Sequence, residues 1–134
     1  MLALAATALL VAGCGGANKA SDQKQVSGAV TEFAHAFGKG DGKKACAKLT
    51  PAARITFVSR IESIVGTRDC AEAIGKLPAL AGANVTGPFQ TAKVDSVKVS
   101  GDTATARIIA AGHSAPVSLQ RSNGEWLLTR VPGT

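Results

Sequence analysis

The apolar residues of this chain repeat with one period in its first half and another in its second, and that switch restricts the folds open to it. Val26, Val30, Phe33 and Phe37 recur at spacings of 4, 3 and 4. At about 100° per residue they form one narrow stripe along a helix. From Val85 onward the period falls to two. Val97 and Val99 alternate with Lys98, and Ala104, Ala106 and Ile108 alternate with Thr105, Arg107 and Ile109. Val117 and Leu119 then alternate with Ser118 and Gln120, and Trp126, Leu128 and Arg130 with Leu127, Thr129 and Val131. Helices first and strands after predict an α+β fold, with amino-terminal helices packed on an antiparallel sheet of about four strands.

The punctuation supports this order. A first helix is expected from Ser21 to Phe37, ended by Gly38-Lys39-Gly40. Asp41 suits the cap of a short second helix reaching Leu49, with Cys46 and Leu49 on its inner side. Thr50-Pro51 pairs a cap residue with proline at the first helical position. Ile55, Val58, Ile61 and Val65 give this third helix an apolar side until Gly66. Asp69-Cys70-Ala71-Glu72 fits a capping box and opens a fourth helix, which buries Ile74 and Leu77 until Pro78 interferes. In the second half, Ser100-Gly101-Asp102, Gly112-His113 and Ser122-Asn123-Gly124-Glu125 mark reversals between strands.

The amino terminus obeys other rules. Leu2 to Ala12 is an apolar run of 11 residues. That is short of the roughly 20 a membrane helix needs and suits the core of a signal peptide. It ends in Val11-Ala12-Gly13-Cys14, which resembles the lipobox of bacterial lipoproteins. Small residues before the cut let the backbone enter a peptidase cleft, and the Cys14 thiol becomes the thioether that carries lipid. No charge precedes Lys19, which departs from the usual positive start of a signal peptide. The competing reading is an apolar core helix with a buried cysteine. The small and polar residues 15–22 favour a flexible tether instead. The expected organisation is a leader over 1–13, a lipidated tether over 14–23 and a folded domain over 24–134. Two acyl chains anchor stably, so the expected address is the extracytoplasmic face of the cell membrane.

With Cys14 taken by lipid, Cys46 and Cys70 remain. An even remainder in an exported chain suggests a disulfide, and two buried free thiols are the alternative. Two cysteines and two scattered histidines lack the spacing of a zinc site. The chain carries 15 basic against 9 acidic residues, a net charge of +6. Lys39, Lys43, Lys44 and Lys48 cluster within ten residues. In an exported domain nucleic acid is not the expected partner. The cluster reads either as attraction to anionic lipid headgroups or cell-wall polymer, or as a solvated helix face.

Taken together, residues 24–132 resemble the nuclear transport factor 2-like superfamily. An opening helix with Val26, Val30, Phe33 and Phe37 leads into Gly40-Asp41-Gly42-Lys43-Lys44-Ala45-Cys46, and Thr50-Pro51-Ala52-Ala53-Arg54 follows. The segment from Val117 to Leu128, with Ser122-Asn123-Gly124-Glu125 before Trp126-Leu127-Leu128, is similar to the family's closing hairpin. The chain also resembles small exported lipoproteins of high-GC bacteria that carry this domain with a paired cysteine. The resemblance implies a cone, in which a curved sheet wraps a long helix around a cavity. It implies a family that includes ketosteroid isomerase, scytalone dehydratase and polyketide cyclases beside many non-catalytic scaffolds, often dimerising through the sheet.

Two functions follow as expectations. The first is a non-catalytic domain that binds a small apolar ligand or an envelope protein, with no cofactor. Phe33, Phe37, Val58, Ile61, Val97, Ile108, Leu119 and Trp126 would line its cavity, or else simply fill the core. The alternative is an isomerase or dehydratase, which needs a carboxylate base in an apolar cavity and a proton donor, often tyrosine. The chain has no tyrosine. Asp41, Asp69, Asp102 and Glu125 read as caps and turns, and Asp95, on a strand, either points inward or is a strand-edge charge. His35 falls opposite the helical stripe, towards solvent, and His113 in a turn. No residue is therefore assigned to catalysis or to a metal. A third expectation is an interaction surface on the outer sheet face, at Thr105, Arg107, Gln120 and Thr129.

Overall fold

The computed structural model describes residues 17–133. Its helices come first, α1 (Ala17–Lys39), α2 (Gly42–Ala47), α3 (Pro51–Val65), α4 (Cys70–Ala81) and the single turn α5 (Ala83–Thr86). A 3₁₀ segment (Gly87–Thr91) leads into strands β1 (Lys93–Ser100), β2 (Thr103–Ala110), β3 (His113–Ser122) and β4 (Glu125–Leu128). The strands form one antiparallel sheet in the order β1-β2-β3-β4, so the expected α+β architecture stands.

The α1 stripe is buried as the spacing predicts, with Val26, Val30 and Phe33 fully covered. Ala29, Ala34 and Ala36 widen it, letting the helix sit close to its neighbours. The helix starts earlier than expected. Residues 17–20, expected in the tether, are already helical, and Asp22 and Gln23 of the opening turns are tied to the sheet side of the molecule. Arg121 Nη1 donates to Asp22 Oδ1 at 3.1 Å, and Gln23 Nε2 donates to the Val97 carbonyl at 3.4 Å. Residues 1–13 and Cys14 lie outside the described residues.

The glycines after α1 do more than end it. A Cβ on Gly38 would lie 2.7 Å from the Gln90 nitrogen, and one on Gly42 would lie 1.9 Å from the Ala71 carbonyl oxygen. The first lets the 3₁₀ segment press on α1; the second lets α4 cross α2 in backbone contact. Beside that crossing, Cys46 and Cys70 form a disulfide with Cα atoms 6.2 Å apart. Asp41 caps α2 by accepting from the Lys44 nitrogen, and Thr50 caps α3 by accepting from the Ala53 nitrogen. At α4 the Asp69 carboxylate accepts from the Glu72 nitrogen at 2.8 Å. The return bond of the capping box is relayed: Thr67 donates to the Glu72 carboxylate and accepts from the Asp69 nitrogen. Hydrogen bonds from Lys76, then from Thr67, hold the Glu72 carboxyl below its ordinary range.

Three expectations need correction here. Ile55 is 72% exposed, and Phe57 is buried in its place. Phe57 makes an edge contact with Phe37 at 6.2 Å between ring centres, which turns α3 and carries Ile55 outward. Pro78 does not stop α4, which runs on to Ala81 and closes with a bond from the Gly82 nitrogen to the Pro78 carbonyl. Proline so near the end costs one backbone donor and leaves the last turn intact. Val85 opens no strand. It lies 56% exposed in α5, because Gly87-Pro88 starts a 3₁₀ turn that brings Phe89 to within 5.1 Å of Phe37.

In the sheet, Ala104, Ala106, Ile108, Val117, Leu119, Trp126 and Leu128 face the helices and are buried. A bulge between Asp95 and Lys98, with Ser96 at φ 53°, shifts the phase of β1. Val94 and Val99 consequently both pair with inward residues, Ile108 and Ala104. The middle reversal falls on Ala111-Gly112, one residue earlier than expected, since His113 pairs with Ala110. Past Leu128 the expected alternation also reverses: Arg130 is exposed and Val131 buried. The free edge of β4 is covered by the α2–α3 link, where Leu128 donates to Lys48 and accepts from Thr50.

Candidate functional site

The eight residues expected to line a cavity fill the core instead of facing a shared space. Phe33, Phe37, Val58, Ile108, Leu119 and Trp126 are all at most 9% exposed. Ile61 and Val97 pack half-buried against them. Among the described residues the four best-formed surface recesses each take in at most one of the eight.

The recess with the chemistry of a ligand site lies at the far end of the β2–β3 hairpin. Ile108 pairs with Ala115, and Ala110 with His113, so the inner face of the sheet continues past the helices here. Small side chains at Ala110 and Ala115 leave a hollow of about 290 Å³. The 3₁₀ segment closes one side with Pro88 and Phe89, α5 contributes Asn84 and Val85, and Pro132 comes from the chain end. The lining is mostly apolar, with Asn84, His113 and Ser114 as polar groups at the rim. Ser114 already accepts from Arg107 Nη2 at 2.6 Å. The volume is at the lower end of ligand sites, which run from about 300 Å³ upward. It admits a short acyl or branched aliphatic group, or one large apolar side chain.

The acids do not converge on this hollow. Asp95 is exposed on the outer sheet face opposite Arg107. His35, expected in solvent, is half-buried in another recess between α1 and α2, beside Glu32. Among the described residues no three His, Cys, Asp or Glu side chains group as metal ligands would. The Arg68 guanidinium is raised by a hydrogen bond and charge from Glu62 and belongs to the α3–α4 link.

The outer sheet face carries Thr105, Arg107 and Gln120 exposed and Thr129 half-buried. With Lys98, Thr103 and Ser118 several of them border a shallow recess of about 330 Å³. Thr129 is committed to the fold, donating to the Ser118 carbonyl at 3.1 Å. The apolar recess escapes sequence reading because its floor falls in residues 85–92, whose apolar members look like a strand. The available signal was the step from Ile108 down to Ala110 and Ala115 opposite Pro88-Phe89. No family model matches the chain, and no curated protein or solved structure matches it either.

Proposed function

We propose that this chain is an extracytoplasmic lipoprotein, held at the membrane through acylated Cys14, whose folded domain is a non-catalytic binding module of the nuclear transport factor 2-like kind. The hollow between Phe89 and the Ala110/Ala115 end of the hairpin is its binding site. It takes a small apolar ligand, or an apolar side chain of an envelope protein. That hollow is the observation that carries the reading: mostly apolar walls, with a polar rim at Asn84 and His113 to fix orientation. No Asp or Glu lines it, which favours binding over proton abstraction. The Cys46–Cys70 bridge fits an oxidising compartment.

The test is native mass spectrometry of the exported chain, beside an Ala115→Trp variant that fills the hollow. The expected result is an added mass that leaves on denaturation and is missing from the variant. An added mass equally present in both would place the ligand elsewhere. A bare wild-type protein that also captures no envelope partner through this hollow would sink the reading. For the anchor, Cys14→Ser should move the chain from the membrane to the soluble fraction and abolish labelling by a fatty acid. Continued membrane retention would count against lipidation.

A further inference from the structure

The largest of the four recesses, about 520 Å³, runs between α1 and α2. Glu32, His35 and Lys39 recur on one face of α1, and Asp41, Lys44 and Lys48 line the opposite wall. Its two acids are engaged. Lys48 Nζ lies 2.7 Å from Glu32 Oε2. Asp41 caps α2 and has Lys44 Nζ at 4.0 Å. Lys39 and the adjoining Lys43 are exposed and have no ion-pair partner among the described residues. The Lys44 side chain is 80% exposed, so its charge also stays available. The balance is a groove with an excess of positive charge, Lys39 on one side and Lys43 and Lys44 on the other, with the His35 imidazole in its wall.

We infer that this groove binds an anionic polymer of the cell envelope, one carrying repeated phosphate or carboxylate groups. A single anion on an exposed lysine gains at most about 1 kcal/mol. Useful affinity at such a rim therefore requires a ligand that repeats its charge and engages several lysines at once. The groove lies at the end of α1 remote from the amino-terminal lysines. At about 1.5 Å per residue, α1 carries Lys39 roughly 33 Å from Ala17. Charges act over about 8 Å at physiological salt. Lys19 and Lys24 sit at the opposite end of α1, next to the anchor side, so the two lysine groups distinguish a contact at the groove from one beside the anchor. The inference rests on the exported address proposed above and is independent of the apolar hollow.

The test titrates the full chain, purified in neutral detergent, with poly(glycerol phosphate), polyglutamate and phosphatidylglycerol vesicles. It compares Lys39→Gln/Lys43→Gln/Lys44→Gln with a control that also removes charge from α1, Lys19→Gln/Lys24→Gln. The expected result is salt-sensitive binding of one or both polymers, weakened at least about tenfold by the groove variant and little by the control. Whichever polymer binds names the anion. Binding of neither polymer would overturn the inference, as would equal losses in the two variants. Groove-dependent binding of the vesicles alone would overturn it in favour of the membrane. None of these outcomes depends on lipidation, so a failed Cys14 experiment and a failed groove remain distinct results.

Discussion

The helices after α1 and the sheet are held together in different ways. Between Gly42 and Ala81 the fastening is by points: one disulfide, one backbone crossing at Gly42, and caps at Asp41, Thr50 and Asp69. In the sheet it is distributed. β2 and β3 are in register over eight consecutive pairs, and the inner-face side chains of the sheet are buried against the helical layer. Short helices of few turns cannot hold themselves in water, so each fastener of the helical half carries a large share of the local stability. A ladder spreads the same task over many bonds, and the loss of one is small. The two halves should therefore respond unequally to single changes.

The bridge tests this most strongly. Closing a loop of about 25 residues, it contributes about 3.5 kcal/mol in the chain-entropy account. Reduction, or Cys46→Ala/Cys70→Ala, should lower the denaturation midpoint accordingly. Hydrogen exchange should then show α2 and α4 losing protection while β2 and β3 keep theirs. A uniform loss would mean that the halves unfold as one and that the contrast fails. Gly42→Ala is next, at about 2–3 kcal/mol, because the new methyl meets the Ala71 carbonyl and the two helices must part. The variant should also make the disulfide easier to reduce, which thiol trapping would read. An unchanged midpoint would mean that the crossing relaxes freely.

These two regions were also unequally legible. The caps at Asp41, Thr50 and Asp69 and the pairing of Cys46 with Cys70 follow from local chemistry or simple arithmetic, and the structure has them. The strands follow from alternation, and their meander order holds. What sequence could not show depends on distant partners. Gly42 reads as a helix start, but its reason is Ala71. Ile55 fits the α3 stripe until Phe57 finds Phe37. The apolar hollow needs the 3₁₀ segment and the hairpin end, roughly 20 residues apart in sequence, brought face to face. Arg121 ties α1 to the sheet across 99 residues of sequence. It reaches Asp22 of α1, Asp102 and the Gly101 carbonyl, and lies 4.9 Å above the Trp126 ring. Arg121→Ala should cost about 1–2 kcal/mol and loosen the first turns of α1. Arg121→Lys should restore only part of that, since lysine cannot span three acceptors at once. Full restoration would mean that charge alone, without the planar fork, joins α1 to the sheet.

The smallest expected effect comes from within the sheet, where two reversals share one geometry but not one sequence. Asn123-Gly124 joins β3 to β4 with φ at 51° and 80°. Ala111-Gly112 joins β2 to β3 with φ at 50° and 77°. Both are two-residue turns of the type that demands positive φ at each central position, a conformation that asparagine tolerates and alanine resists. Ala111 is held there because the eight pairs of β2 and β3 fix the register on either side. The ladder thus absorbs a local strain that no single contact relieves. Ala111→Asn should stabilise the domain by about 0.5–1 kcal/mol, and Asn123→Ala should destabilise it by a similar amount. Both would be read as shifts in the denaturation midpoint. Ala111 also borders the apolar hollow, so ligand binding should be measured on the same variant. A gain in stability with binding retained would show that the strained turn serves only the hairpin. A gain accompanied by lost binding would show that the strain is kept for the sake of the hollow, and the sheet too would have its point of local weakness.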